Sequence, residues 1–327
     1  MGFSEIYGHD KQINILKKAF SNNRLARSFL FTGISGVGKK LVAISLAKAL
    51  NCERENLDFC NNCPACKKIE HGNHPEFTVI TPQNNLITID TIRTIKEQLK
   101  FKTIFARMRV FIIDDCHKMN TQAANALLKT LEETPEKTLF ILITSSPHRL
   151  LPTIISRCQR ITFSPIYYKE IEKLVKEKFG FDGKDSSILS LMAIGSLGRV
   201  KELLNKKFWD MRQSILKRLV GISKGLPDKA LSIAFDLGKN REELLNLLEV
   251  IIIFYRDMLI YKYFKNTEKL INKDMIEEIK GAAKKNSSGA VFNQIEEVKK
   301  ARTAIINNAN IQLTMEMMLL RIQHIEG

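Results

Sequence analysis

Cys52, Cys60, Cys63 and Cys66 lie close together in the chain, with seven residues between the first two and two between each later pair. Thiolates at this spacing can converge on one ion from a short loop. Four of them complete a tetrahedral structural zinc shell and leave no open position for catalysis. His71 and His74 follow closely, but four sulfurs leave them no place as ligands. Upstream, Gly33-Ile34-Ser35-Gly36-Val37-Gly38-Lys39-Lys40 reads as a phosphate loop. Its small residues let successive backbone N–H groups face a phosphate, while Lys39 and the helix N-terminus add positive potential. Gly33, Gly36, Gly38 and Lys39 are the candidate nucleotide-binding residues. The motif asks for Ser or Thr after the lysine, to ligate magnesium, and this chain has Lys40 there. Two readings stand: a weak ATP and magnesium site, or an inherited loop shape that no longer binds nucleotide productively.

A second acidic site ends the apolar run Val110-Phe111-Ile112-Ile113-Asp114-Asp115. Asp114 is placed to hold magnesium, directly or through water. Asp115 stands where a hydrolytic site has Glu to polarise water. One methylene less displaces the carboxylate by about 1 Å, and misplacement of that size can cost about a hundredfold in rate. A strand-end Asp pair can also serve as a turn or helix cap. Arg157, in Ile155-Ser156-Arg157-Cys158-Gln159, precedes the last strand signal. It is either a solvated or salt-bridged surface charge, or a guanidinium that reaches a neighbour's triphosphate and neutralises charge on the transferred group.

The elements that must position these residues alternate. Strand-like runs cover Ser28 to Thr32, Glu76 to Ile80, Arg109 to Ile113, Thr138 to Ile143 and Gln159 to Phe163. Helical patterns continue from Lys39 to Leu50, Ile89 to Leu99 and Thr121 to Glu133, which predicts a parallel sheet covered on both faces. After Ser164-Pro165 only helical periodicity remains. Helices are predicted near 168–179, 187–194 and 198–206, set apart by Gly180, Gly183, Gly195 and Gly198. From Phe208 onward the chain is again helical, with breaks near Gly221 to Pro227, Gly238 and Ser287 to Gly289. The expectation is an α/β domain over 1–165, a small helical domain over 166–207 and an all-helical domain over 208–327.

The whole chain has 327 residues, 44% of them hydrophobic and 26% charged, the composition of an ordinary globular protein. The most apolar stretch, Val250 to Tyr255, is too short to span a bilayer. Met1 to Glu5 carry no secretory signal. A cytoplasmic location is expected, where clustered cysteines favour metal over disulfides. Cys116 and Cys158 stand alone. A net charge of +16 suits a nucleic-acid partner, or equally a lysine-rich solvated surface.

Taken together, these residues resemble the delta-prime family of bacterial DNA polymerase III clamp-loader subunits, members of the AAA+ ATPases. Also shared are Ser156-Arg157-Cys158, the run Ala123 to Glu133, Gly195-Ser196-Leu197-Gly198-Arg199, and Asn308-Ala309-Asn310 with Leu313 and the helix Glu316 to Ile322. The resemblance implies a zinc-bearing AAA+ phosphate-loop domain, with the zinc module at 52–66, then a helical lid and a helical collar that joins five subunits into an open ring. It implies gamma/tau and delta subunits, a sliding clamp and primer-template DNA as partners, and no membrane. Arg157 would be a trans-acting finger for ATP on an adjacent gamma/tau subunit. Arg199 matches a lid arginine that senses a subunit's own nucleotide, Ile6 to Gln12 the border of an adenine pocket, and Ser145 and Ser146 the polar contact to a terminal phosphate. Two alternatives remain. An ATP-hydrolysing gamma/tau subunit shares the cysteines and Ser-Arg-Cys, but Lys40, Asp115 and a chain end just after the collar argue against it. A free-standing nucleic-acid-binding zinc protein fits the charge, yet the cysteine loop has no aromatic cluster beyond Phe59.

Overall fold

In the computed structural model, the described residues are 2–22, 24–54, 58–101, 106–180, 184–204, 206–221, 227–237 and 241–325. The sequence breaks expected at Gly183 and Gly238, and all of Gly221 to Pro227 but its two ends, lie outside them. Contacts group Met1–Ile171 with Ile194–Arg199 into one unit, and Glu172–Ala193 with Val200–Gly327 into another.

The first unit is built on five parallel strands, β1 (Ser28–Thr32), β2 (Phe77–Ile80), β3 (Arg109–Ile113), β4 (Thr138–Thr144) and β5 (Gln159–Thr162), in the order β2-β3-β4-β1-β5. Every residue of β1, β3 and β4 is buried, which is why these strands read as unbroken apolar runs and not as alternating ones. Helix α1 (Asp10–Ser21) precedes β1, and helices α2 (Lys39–Asn51), α3 (Pro64–Glu70), α4 (Ile89–Leu99), α5 (Thr121–Glu132) and α6 (Pro152–Ile155) lie between the strands. On one face, Phe111 stacks on Phe140 at 5.1 Å within a core that includes Leu30, Ile92, Leu127 and Ile154. Cys116 is fully buried in this core and Cys158 packs against it. Burial pushes the Cys158 thiol up to about 11, so both sulfurs act as small apolar side chains.

Two polar ties close the sheet against its helices. Asn51, at the end of α2, accepts from the Met108 N–H at 3.0 Å and donates to the Met108 carbonyl at 2.9 Å. At the start of β3 the buried Arg109 pairs with Glu76 and donates to the carbonyls of Gln98 and Phe101 at the end of α4.

Beyond β5 the chain is helical: α7 (Tyr168–Phe179), α8 (Lys184–Met192), α9 (Leu197–Leu203), α10 (Lys206–Val220), α11 (Pro227–Leu237), α12 (Arg241–Phe264), α13 (Ile276–Lys285), α14 (Ser288–Ile306) and α15 (Ile311–His324). Within the second unit α12 packs against α13 and α14, and α15 against α11 and α14. No helix among the described residues is long and apolar enough to cross a membrane.

A charged network lies inside this helical unit. Arg212, on α10, is 1% exposed and donates to both carboxylate oxygens of Asp274 and to Asn272 Oδ1. Asn272 in turn donates to the fully buried Asp257 of α12, whose other oxygen accepts from Arg256. Removing one member of such a network leaves an uncompensated buried group. Arg212→Met is expected to cost about 3 kcal/mol or more in urea unfolding. Arg212→Lys should recover little of it, because an ammonium cannot fork between two acceptors. A loss well below about 1 kcal/mol in urea unfolding would show that the network contributes little beyond packing.

Candidate functional site

The glycine loop joins β1 to α2 and keeps the shape its sequence asks for. Gly33 has φ +151°, and a Cβ there would lie 2.4 Å from the Phe163 carbonyl oxygen. Gly36 has φ +70° and abuts Ser196 and Gly198, with the Gly198 N–H donating to the Gly36 carbonyl at 2.9 Å. Only glycine meets both conditions. Gly38 caps α2. The segment carrying Arg199 is therefore laid on the loop through Ser196 and Gly198.

Both lysines sit in the first turn of α2. Lys39 is almost fully buried, and its Nζ donates to the carbonyls of Gly33 and Ile34 at 2.7 and 2.6 Å. Burial lowers its proton affinity, and the nearby Asp114 and Asp115 oppose that. Lys40 is half-exposed and its Nζ stands 3.1 Å from Asp114 Oδ2. Two cations at the positive end of a helix are unfavourable by up to about 1 kcal/mol each. The acidic strand end of β3 offsets this. Asp115, in a left-handed conformation with φ +48°, pairs with Lys118 at 2.9 Å. Gly33, Gly36, Gly38, Lys39, Asp114 and the backbone beside Arg199 thus gather at the carboxyl ends of the strands, where ligands of open α/β sheets bind.

Arg157 is elsewhere. It follows α6 and precedes β5, and its carbonyl accepts from the Ser28 hydroxyl at the start of β1. It lies at the amino-terminal end of the sheet, opposite the loop. Its side chain is 40% exposed, and the guanidinium is bonded to Glu132 at 2.8 Å and to the Thr153 carbonyl at 3.1 Å.

The four cysteine sulfurs all lie within 4.8 Å of one another. Cys52 and Cys66 are buried; Cys60 and Cys63 are partly exposed. Backbone N–H groups of Asn62 and Cys63 point at the Cys60 sulfur, and that of Cys66 at the Cys63 sulfur. Four convergent thiols of this kind fit a closed tetrahedral metal shell. A buried ammonium anchors the loop: Lys48 of α2 pairs with Glu70 of α3, donates to Asn61 at 2.8 Å and covers the Phe59 ring.

A family model described as "DNA polymerase III, delta subunit" matches residues 8–167, and one described as "DNA polymerase III, delta subunit, C terminal" matches 206–324. The DNA polymerase III subunit delta' of Bacillus subtilis is 31% identical over 95% of this chain and 95% of its own length. This chain belongs to the delta-prime family of DNA polymerase III subunits. Subunit tau of the same organism is 33% identical over 84% of this chain, which spans only 53% of tau. A gamma-subunit-related protein from Thermotoga maritima has the same fold, with a TM-score of 0.53 at 22% identity over 96% of this chain and 99% of that one.

Within this delta-prime chain, two residues near the loop, Thr144 and His117, escaped the sequence reading. Ser145 is exposed and Ser146 partly so, whereas Thr144, the last residue of β4, is fully buried. Its hydroxyl accepts from the Ser146 N–H and pairs with His117 Nδ1 at 3.0 Å. Burial lowers the proton affinity of His117, so it stays a neutral partner. His9 is buried against Phe163, and its Nε2–H donates to the Val37 carbonyl at 2.7 Å, bracing the glycine loop from the stretch before α1. The strand-end position of Thr144 was its one sequence signal and His117 had none, whereas His9 lies in the Ile6 to Gln12 stretch that the resemblance had set at the border of an adenine pocket.

Proposed function

We propose that the chain helps its companions load a ring-shaped sliding clamp onto primed DNA without hydrolysing nucleotide itself, and that it presents Arg157 to the triphosphate of an adjacent gamma/tau subunit. The location of Arg157 carries this reading. The length of β1 puts on the order of 15 Å between the two ends of the sheet. The guanidinium is therefore out of reach of its own loop, yet exposed and held in a fixed direction. Lys40 and Asp115 support the absence of turnover, because a magnesium ligand is missing and the water-polarising acid is short.

Membership of the family supports the rest of the reading. The partners are gamma/tau and delta subunits in a five-membered ring, the clamp and primer-template DNA, the last favoured by the net charge of +16. Residues 166–207 act as lid and 208–327 as collar, in the cytoplasm. Asp114 and Arg199 belong to a vestigial nucleotide site, and Cys52, Cys60, Cys63 and Cys66 hold structural zinc. The similarity to tau favours a hydrolysing gamma/tau subunit as the second reading, and one assay separates the two. The purified chain with ATP and magnesium should release no phosphate above background, while the reconstituted loader turns over. Brisk release by the lone chain would favour gamma/tau.

A further inference from the structure

We propose that Lys40 is an internal counter-cation: its ammonium holds the place on Asp114 where hydrolytic phosphate loops carry magnesium, and so excludes a divalent ion from this site. The inference deepens the non-hydrolysing reading, since it says what fills the metal position and does not stop at a missing ligand.

Magnesium requires a near-octahedral shell of oxygens at about 2.0–2.1 Å and gives up its waters reluctantly. The residues present do not fit that requirement. At the helix position that would supply a hydroxyl oxygen stands an ammonium, which cannot ligate a cation, 3.1 Å from Asp114 Oδ2. The other Asp114 oxygen accepts the Asp115 N–H at 3.1 Å. Asp115 has its own ammonium in Lys118, at 2.9 Å. Each strand-end carboxylate is thus paired with a lysine from the chain. An entering dication would have to break the Lys40 pair and then sit beside two displaced or neighbouring ammonium groups and the positive end of α2. A phosphate chain meets the opposite situation. Among the described residues Lys39 donates to neutral carbonyls, which a charged phosphate oxygen can replace with a stronger bond. Lys40 can turn from Asp114 toward the same ligand, because its side chain is 43% exposed. The site as built complements anions and repels the ion that normally accompanies them.

The test uses the full-length, zinc-loaded chain and a fluorescent ATP analogue, with binding read by anisotropy. The buffer is stripped of divalent ions by resin, without chelators that would attack the cysteine site, and magnesium is then added. Wild-type protein should bind the analogue no more tightly with magnesium than without. Lys40→Thr, and Lys40→Ser as a parallel variant, should gain about tenfold or more on magnesium addition, the size of one charge-assisted contact. Asp114→Asn in the Lys40→Thr background should erase that gain. Wild-type affinity that rises about tenfold with magnesium overturns the proposal. So does indifference of both Lys40 variants to magnesium while they remain folded by circular dichroism, including a failure of both to bind the analogue at all. Phosphate release by the lone wild-type chain would instead count against the functional reading, so the two failures are separable.

Discussion

Replacing Arg157 by Ala is expected to lower ATP hydrolysis by a reconstituted clamp loader about a thousandfold at the site it serves, with the subunits still assembled. A guanidinium supplied in trans neutralises charge that develops only in the transition state, and such fingers contribute about 10³ to 10⁵ in rate. The effect should appear in the turnover rate and hardly in nucleotide affinity. Arg157→Lys should not restore the rate, since a point charge on a flexible stem lacks the planar fork. Assembly should survive, because what Arg157 forms within the chain is a surface ion pair with Glu132, both side chains 40–50% exposed. Pairs of that kind contribute about 1 kcal/mol at most. Glu132→Gln keeps the guanidinium and removes its tether, so a loss of about tenfold or less is expected there, from poorer orientation alone. An unchanged rate in Arg157→Ala removes the proposed role.

Loss of the proposed zinc should have the largest effect on folding. Structural zinc contributes on the order of 10 kcal/mol of binding free energy in small cysteine sites, all of it withdrawn when the shell is broken. Cys66→Ala, or a strong chelator, is therefore expected to lower the melting temperature of the sheet-bearing unit and to open the 58–71 segment to protease. The effect should depend on pH with a definite sign. Burial pushes the Cys66 thiol up to about 12 and raises Cys52 as well, while N–H groups of Asn62 and Cys63 pull Cys60 down to about 6. Without metal near neutral pH, Cys60 is mostly thiolate and Cys66 keeps its proton. Zinc requires thiolates, so its uptake must expel protons, and the stabilisation it confers is present at neutral pH and lost as the pH falls. Zinc uptake in unbuffered solution should acidify it. Metal analysis that returns well under one zinc per chain would dispose of the site.

Much of this chain was legible in its residues. Unbroken apolar runs announced the buried parallel strands, and helix periodicity placed α4 at both of its ends and α5 to within one residue. The cysteine spacing announced a convergent cluster, because a short loop leaves four nearby thiols few other arrangements. Less was legible where contacts are made between distant residues. Of the small helices after β5, α7 spans Tyr168–Phe179 as expected, whereas α8 starts at Lys184 and not near 187, and α9 starts at Leu197 because Gly198 is tolerated in a first helical turn.

By itself, then, the sequence determined which local elements form and which chemical groups each one carries, because periodicity, glycine placement and ligand spacing act over a few residues. Only the tertiary structure decided how those groups meet. That Lys40 faces Asp114, that Thr144 and not its serine neighbours is the buried hydroxyl, and that Arg157 lies opposite its own loop all follow from the strand order β2-β3-β4-β1-β5. The Arg212, Asp257 and Asp274 network follows likewise from helix packing. Long-range pairing is set by global burial of the apolar faces, and no single stretch of residues encodes it.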